Sequence, residues 1–414
     1  MQNVYDELFS RGLIHIIADS QKDFKVPDAV YQDTAIAVNL FYEDTLQRYF
    51  EYLDRVPSSI EICIYTSNER AWEKISQYAD GRENVFCLKK ENRGRDISAF
   101  LVAFKRTALK KKFLCFLHDK KQKTLLLKED TDYWIENLWD NTIHSETYIN
   151  NILGLLMGGK IGILTPPIPF GERLTHWYTN RWRDDNFKLA EELAARLGLQ
   201  CDIDRQKMPV TLGSVFWCRT KAITKLLEYD WKYEDFRDEP LPDDGTISHA
   251  IERIFAYVAQ DAGYSTEWIM SSRYAGRLIL SAQMQMAETY QMTGKNFGVR
   301  SLTELRRLDR QRKAIEKICS ECKTVYLYGA GGEGRRFVFL MNFWKLQVDG
   351  FVVTRRETAH DMFLGIPVYE FDRIIADETV GVIITVGLKF CDEIEEIVKK
   401  REGVRYYVPA REEI

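Results

Sequence analysis

No stretch of this chain is apolar for long enough to cross a bilayer. The longest such run, Phe337 to Trp344, falls short of the roughly 20 residues a spanning helix needs. No secretory signal is expected, because Asp6, Glu7 and Arg11 interrupt the first residues where a signal carries its apolar segment. An excess of one charge is missing too. With 58 Lys and Arg against 62 Asp and Glu, the formal net charge is −4, which argues against general nucleic-acid affinity and confines any phosphate site to a local cluster. A disulfide framework is also absent. The 8 cysteines are scattered, and Cys63, Cys87 and Cys115 sit in apolar, strand-like runs, where cysteine serves as a small hydrophobe. Cys319 and Cys322 form one CxxC without the second pair of a zinc site. The expected compartment is a reducing cytoplasm.

What the chain does have is alternation. Its length of 414 residues predicts two domains, and 45% hydrophobic residues allow a real core. Ala35–Leu40, Ile60–Tyr65, Val85–Leu88 and Phe113–Leu117 read as strands. Between them lie segments with helical spacing, such as Leu46, Phe50, Leu53 and Val56, and residues 69–80. That order predicts βαβ units around a parallel sheet. Further strands are expected at Lys160–Thr165, closed by Pro166 and Pro167, and at Gly213–Arg219, which feeds a helix from Lys221 to Glu228. Leu302 to Cys319 predicts a connecting helix. The pattern then restarts with a strand Thr324–Tyr328, a glycine-rich turn, a helix through Trp344, and strands Val348–Thr354 and Val380–Val386. The expected organisation is one α/β domain over 1–290, a helical linker over 291–320 and a small Rossmann-like α/β domain over 321–414.

Two of these strands stop abruptly at ions. One runs into Asn92-Arg93-Gly94-Arg95-Asp96 and the other into His118-Asp119-Lys120-Lys121. Open α/β sheets bind ligands outside the carboxyl ends of their strands, so two basic clusters there point to an anion such as a nucleotide diphosphate.

These two turns are followed, in order, by Gly213-Ser214-Val215-Phe216-Trp217 and Asp244-Gly245-Thr246-Ile247-Ser248-His249-Ala250-Ile251-Glu252-Arg253. The four motifs together resemble the rhamnan synthesis protein F family over about residues 30–285. The resemblance implies a GT-A-like, Rossmann-type mixed sheet flanked by helices and a hexosyltransferase of the rhamnosyltransferase kind. It implies a nucleotide-sugar donor, dTDP-rhamnose or a relative, and a glycan or lipid-linked acceptor in cell-wall, capsule or lipopolysaccharide synthesis. Peripheral contact with the inner face of the membrane would fit such an acceptor.

A GT-A donor site needs a polar turn for base and ribose. Ser67 and Asn68, after Thr66, stand in the right place, although Ser and Asn serve equally as helix caps. It needs groups for ribose and phosphate. Asn92 and Gly94 form the turn, Arg95 can fork onto a phosphate, and Asp96 can accept ribose hydroxyls or cap the following helix. It needs a clamp on the diphosphate. Here His118, Lys120 and Lys121 stand where many such enzymes use Asp-x-Asp to hold Mg²⁺ or Mn²⁺. That favours a cation clamp over a metal, although Mg²⁺ or Mn²⁺ could accompany the nucleotide sugar. The one true Asp-x-Asp, Asp202-Ile203-Asp204, follows a helix (Leu189 to Leu199) and reads as a surface loop.

Inverting transfer also needs a base for the acceptor hydroxyl. Asp244 is the first candidate, with Asp243 and Glu252 behind it, and His249 could touch acceptor or phosphate. The alternative is a solvated helix face with a Glu–Arg pair. Trp177 and Trp182, in the aromatic and basic segment Thr175–Arg183, and Trp217 are candidate acceptor contacts; the alternative is that the segment packs its aromatics inward.

Gly329, Gly331 and Gly334 fit GxGxxG between strand and helix. The acidic residue expected at the end of the next strand is missing, with Thr354-Arg355-Arg356 in its place and Asp349 ahead of the strand. NAD(P) is therefore not expected, and a structural or partner-binding role is. The competing readings are an NAD(P)-dependent enzyme that modifies nucleotide sugars, and a non-catalytic glycan-binding protein.

Overall fold

A computed structural model describes residues 14–18, 24–121, 128–167, 184–205, 211, 213–242, 245–297, 301–355, 361–375 and 377–413. The chain divides into two compact units, Met1–Leu280 and Ser281–Ile414.

In the first unit, the described residues form strands β1 (Ile14–Ile17), β2 (Thr34–Asn39), β3 (Glu61–Thr66), β4 (Val85–Lys89), β5 (Phe113–His118), β6 (Ile161–Thr165), β7 (Phe216–Arg219) and β8 (Ser265–Ser271). They make one sheet in the order β1-β8-β6-β7-β5-β2-β3-β4. Every pairing is parallel except those of β7, which runs against β5 and β6. The result is the mixed α/β sheet that the resemblance implies. Helices cover both faces, and the alternation of side chains along each strand decides which face each residue serves. Ile36 and Val38 of β2, Ile62 and Ile64 of β3 and Cys115 and Leu117 of β5 pack with Tyr49, Trp139 and Ile152. Ala35, Ala37, Cys63, Tyr65, Leu114 and Phe116 pack the other face, with Phe100, Phe104, Leu193 and Phe255. A strand buried on both sides reads as a continuous apolar run, which is why these strands were visible in the sequence.

The second unit has the strands β9 (Thr324–Tyr328), β10 (Gly350–Val353), β11 (Met362–Phe363), β12 (Ile366–Glu370), β13 (Val380–Ile384) and β14 (Arg405–Tyr407). Their order is β11-β12-β10-β9-β13-β14, parallel apart from the β11–β12 hairpin. This is the small Rossmann-like sheet expected from the restart of the pattern. Gly329 ends β9 at φ +110°, and the helix Gly332–Phe343 follows. Gly334 sits so close to Gly329 that a Cβ would lie 2.2 Å from the Gly329 carbonyl oxygen, so this glycine is required for helix–strand packing. Gly331 and Gly332 meet nothing within 4 Å. Asp349 accepts the Val325 N–H at 2.7 Å and serves the sheet. The two CxxC thiols are free and packed, and burial pushes that of Cys319 up to about 11.

Two expectations need adjusting. The segment Gly213–Arg219 is a strand only from Phe216, because Gly213 (φ +95°) and Ser214 (φ +50°) are left-handed and form a turn. Trp217, expected to meet an acceptor, is fully buried in the core, and its Nε1 donates to the Thr142 carbonyl at 2.9 Å.

Candidate functional site

The sheet order creates one crevice by itself. The chain builds outward from β2 to β3 and β4, then returns to place β5 on the other side of β2. Such a reversal leaves an opening at the carboxyl ends of the two strands flanking it. Asn39 of β2 is level with both Tyr65 of β3 and His118 of β5, so the residues that follow these strands share one edge.

Asp119, just after β5, spans the crevice. Its Oδ2 accepts the Phe41 N–H at 2.7 Å and the Tyr42 N–H at 2.8 Å, from the turn after β2. From the other side, Asn68 Nδ2 donates to the Phe41 carbonyl at 2.9 Å. The turn Phe41-Tyr42 is thus held by groups from β3 and β5 together. Burial pushes the Asp119 carboxyl up to about 6, against the two N–H bonds and the neighbouring His118. Tyr42, Glu43, Asp44, Asn68, Glu69, Arg70 and Lys121 line a cavity of about 570 Å³ at this edge.

The other predicted residues fall around this turn. Asn68 caps the helix Glu69–Ala79, accepting the Arg70 and Ala71 N–H groups, so cap and site element coincide in one side chain. Ser67 donates to Asn92 Oδ1 at 3.1 Å, joining the turns after β3 and β4. Gly94 is left-handed (φ +64°) and lies against Phe236, where a Cβ would approach the ring to 2.5 Å. Gly94, not Asp96, occupies the cap position of the helix Arg95–Ser98. Arg95 also has positive φ (+46°). Its guanidinium forks onto Glu239, with Nε at 3.1 Å from Oε1 and Nη2 at 3.5 Å from Oε2, and donates to the Leu241 carbonyl at 3.3 Å. Arg93 pairs with Asp238 at 3.0 Å. Two arginines therefore fasten the segment Asp238–Leu241 to the ionic turn.

Three lysines approach the same edge. Lys121 pairs with Asp44 at 2.5 Å. Lys120 lies 3.8 Å from the centre of the Trp134 ring, and among the described residues no carboxylate pairs with it. Burial holds its ammonium below the usual lysine range, opposed by the charges of Glu252 and Asp96. Lys90, which no motif in the sequence marks, donates to the Glu91 carbonyl at 2.6 Å and the Arg93 carbonyl at 3.3 Å. Burial pulls it down to about 8, opposed by Asp96, Glu239 and Glu91.

His118 is buried, with Nδ1 at 3.0 Å from the Asp119 carbonyl oxygen, Nε2 at 2.6 Å from that of Gly213 and 3.8 Å from Asp96 Oδ2. Glu252, on the helix Ile247–Asp261, accepts the Gly213 N–H at 2.6 Å and pairs with Arg253 at 3.1 Å. It is not on a solvated face; it holds a turn. His249 Nδ1 lies 2.8 Å from Thr246 Oγ1, at the start of the same helix. Asp243, Asp244, Trp177 and Trp182 lie outside the described residues.

Among the described residues, no group of three or more His, Cys, Asp or Glu is placed to hold a metal ion. Among the described residues, no helix is long and apolar enough to cross a membrane.

The profile of the family described as Rhamnan synthesis protein F matches residues 13–264. No curated protein matches the chain.

Proposed function

The chain belongs to the rhamnan synthesis protein F family, and on that premise we propose that its first unit is a glycosyltransferase of polysaccharide synthesis. It would bind a nucleotide-diphosphate sugar at the carboxyl ends of β2, β3 and β5 and pass the sugar, rhamnose or a relative, to a growing cell-surface glycan. The observation that supports this most directly is Lys120, a half-buried cation without a carboxylate partner among the described residues, beside the crevice at the sheet's reversal. A cation whose charge burial disfavours is stabilised when an anion arrives. In this reading Tyr42, Ser67 and Asn68 border the nucleoside, Asn92, Gly94 and Asp96 border ribose and phosphate, and Lys120, Lys121, Lys90 and Arg95 face the diphosphate. Cations placed where the leaving diphosphate gathers charge do the work that a metal does elsewhere. Asp244 remains the proposed base.

A second reading follows from the tight Gly329–Gly334 contact in the second unit. That contact suits a dinucleotide turn, and the alternative function would be NAD(P)-dependent modification of a nucleotide sugar.

One experiment separates the two. Thermal-shift binding of dTDP, UDP, GDP, CDP, NAD and NADP is measured on the full chain, with and without Mn²⁺. The transferase reading expects a shift with one nucleoside diphosphate that Lys120→Ala removes and Gly331→Val leaves. A shift with NAD(P) alone, removed by Gly331→Val, would overturn it.

A further inference from the structure

We propose that His118 is held as an imidazolium, donating from both ring nitrogens to main-chain carbonyls, and that this charged ring pins the turn before β7 to the end of β5. His118 is then a positioning residue and not a contact of the nucleotide.

The argument is one of donors and acceptors. Nδ1 lies 3.0 Å from the Asp119 oxygen and Nε2 lies 2.6 Å from the Gly213 oxygen. A carbonyl oxygen only accepts, so each bonded nitrogen must carry a proton, and a neutral imidazole has only one to give. In the neutral ring, one nitrogen would turn its lone pair towards a carbonyl oxygen in a buried place, where unmatched polar groups are costly.

The surrounding charges are arranged for this cation. Asp96, on the helix Arg95–Ser98, places Oδ2 3.8 Å from Nε2. The Asp119 carboxylate interacts favourably with the ring. Glu252, from the helix Ile247–Asp261, reaches the same place through the Gly213 N–H. Against these stand Lys120 on the same strand end and Arg95 beside Asp96, the latter already paired with Glu239. The helix Lys128–Ile143 contributes the neutral Trp139, whose Nε1 donates to the His118 carbonyl at 3.1 Å.

The consequence for the site is specific. Ser214, next to the left-handed Gly213, is itself left-handed, a conformation that a residue other than glycine holds only when neighbours over-determine it. The imidazolium takes the Gly213 carbonyl and Glu252 takes its N–H. With both ring nitrogens committed, His118 has neither a lone pair for proton transfer nor an N–H for a phosphate.

The test uses the full chain labelled with ¹⁵N-histidine, read by ring-nitrogen chemical shifts at pH 7.5 without nucleotide. The expected result is that one of the 6 histidines shows both nitrogens protonated and that its signal vanishes in His118→Gln. If that variant does not fold, the signal is assigned by its persistence when His15, His144, His176, His249 and His360 are replaced one at a time. A His118 ring protonated on Nε2 alone would overturn the proposal. The pinning itself is read by hydrogen exchange, with His118→Phe expected to speed exchange at Ser214 at least tenfold; unchanged exchange would overturn that part. Neither measurement involves a nucleotide, so the transferase reading can fail while this one stands, and the reverse.

Discussion

His118 and Glu252, 134 positions apart in the chain by their numbers, hold the same residue from opposite sides. The imidazole ring bonds the Gly213 carbonyl at 2.6 Å and the carboxylate bonds its N–H at 2.6 Å. Glu252→Ala leaves a part-buried N–H without its charged acceptor, a loss of about 1.5–3 kcal/mol for a bond of this kind. Glu252→Gln keeps an oxygen there and should retain more than half of that stability. Urea unfolding of the two variants measures the difference. Equal losses in both would mean that charge, not the hydrogen bond, is what Glu252 supplies.

Asp119 gives the crevice a pH dependence of unusual sign. Most native carboxyls titrate lower than in the unfolded chain, but burial lifts this one to about 6. The native state therefore holds its proton more tightly than the unfolded state does. The resulting stability is fully present below the ordinary carboxylate range and is lost as pH rises through about 6. Asp119→Asn keeps an oxygen for the Phe41 and Tyr42 N–H groups without the charge. Its stability relative to the native chain should improve between pH 4.5 and pH 7.5, measured by urea unfolding at each pH. A relative stability that declines over that interval would show that the hydrogen bonds outweigh burial.

Lys90 ties anion binding to protons. Burial holds its ammonium at about 8, and a bound diphosphate would favour the charged form. Above that pH, binding should be accompanied by proton uptake and should weaken. Calorimetric titration of the nucleoside diphosphate in buffers of different ionisation enthalpy detects the uptake, and Lys90→Gln should abolish it. Equal heats in all buffers at pH 8.5 would exclude a linked Lys90.

Arg95 presents a competition. Its fork already grips Glu239, so an incoming phosphate must displace a carboxylate. Glu239→Gln should tighten diphosphate binding several-fold, and Arg95→Ala should weaken it more than tenfold. If neither changes the dissociation constant, Arg95 serves the Asp238–Leu241 segment alone.

Two glycines of the second unit should behave differently. A Cβ on Gly334 would meet the Gly329 carbonyl oxygen at 2.2 Å, whereas one on Gly331 meets nothing within 4 Å. Gly334→Ala should cost about 1–3 kcal/mol or more, as overpacking does, and Gly331→Ala should fall within about 0.5 kcal/mol of the parent. Scanning calorimetry compares them.

The strands and both ionic turns were legible because each is local. The doubly buried β5 writes itself as an apolar run that ends at His118, and the edge strand β4 is apolar too, although Phe86 and Leu88 are exposed on it. What closes the turns was not legible. Glu239 reaches Arg95 across 144 residues, and no local pattern marks a carboxylate as a distant arginine's partner. Gly213 was hidden for a different reason, since its contacts are main-chain atoms, which have no residue signature. Trp217, a candidate acceptor contact, lies instead in the core. Its neighbours Phe216 and Cys218 are as fully buried as it is, the mark of a strand covered on both faces. Strands β1 and β8 went unrecognised, each mixing polar with apolar residues.

Strand β7 runs backwards among parallel neighbours, so it brings its beginning, not its end, to the crevice. The edge around the ligand is therefore made from two kinds of joint, exits from β2, β3 and β5 and a single entrance into β7. The exits are tied to one another, with Asp119 and Asn68 both holding the turn after β2. The entrance is shared as well, since Gly213 is tied to an exit through His118 and to a helix through Glu252. Loop exchange between relatives should accordingly require the turns after β3 and β4 to move together, since Ser67 is bonded to Asn92. Transplanting the turn before β7 should require its two anchors to travel with it.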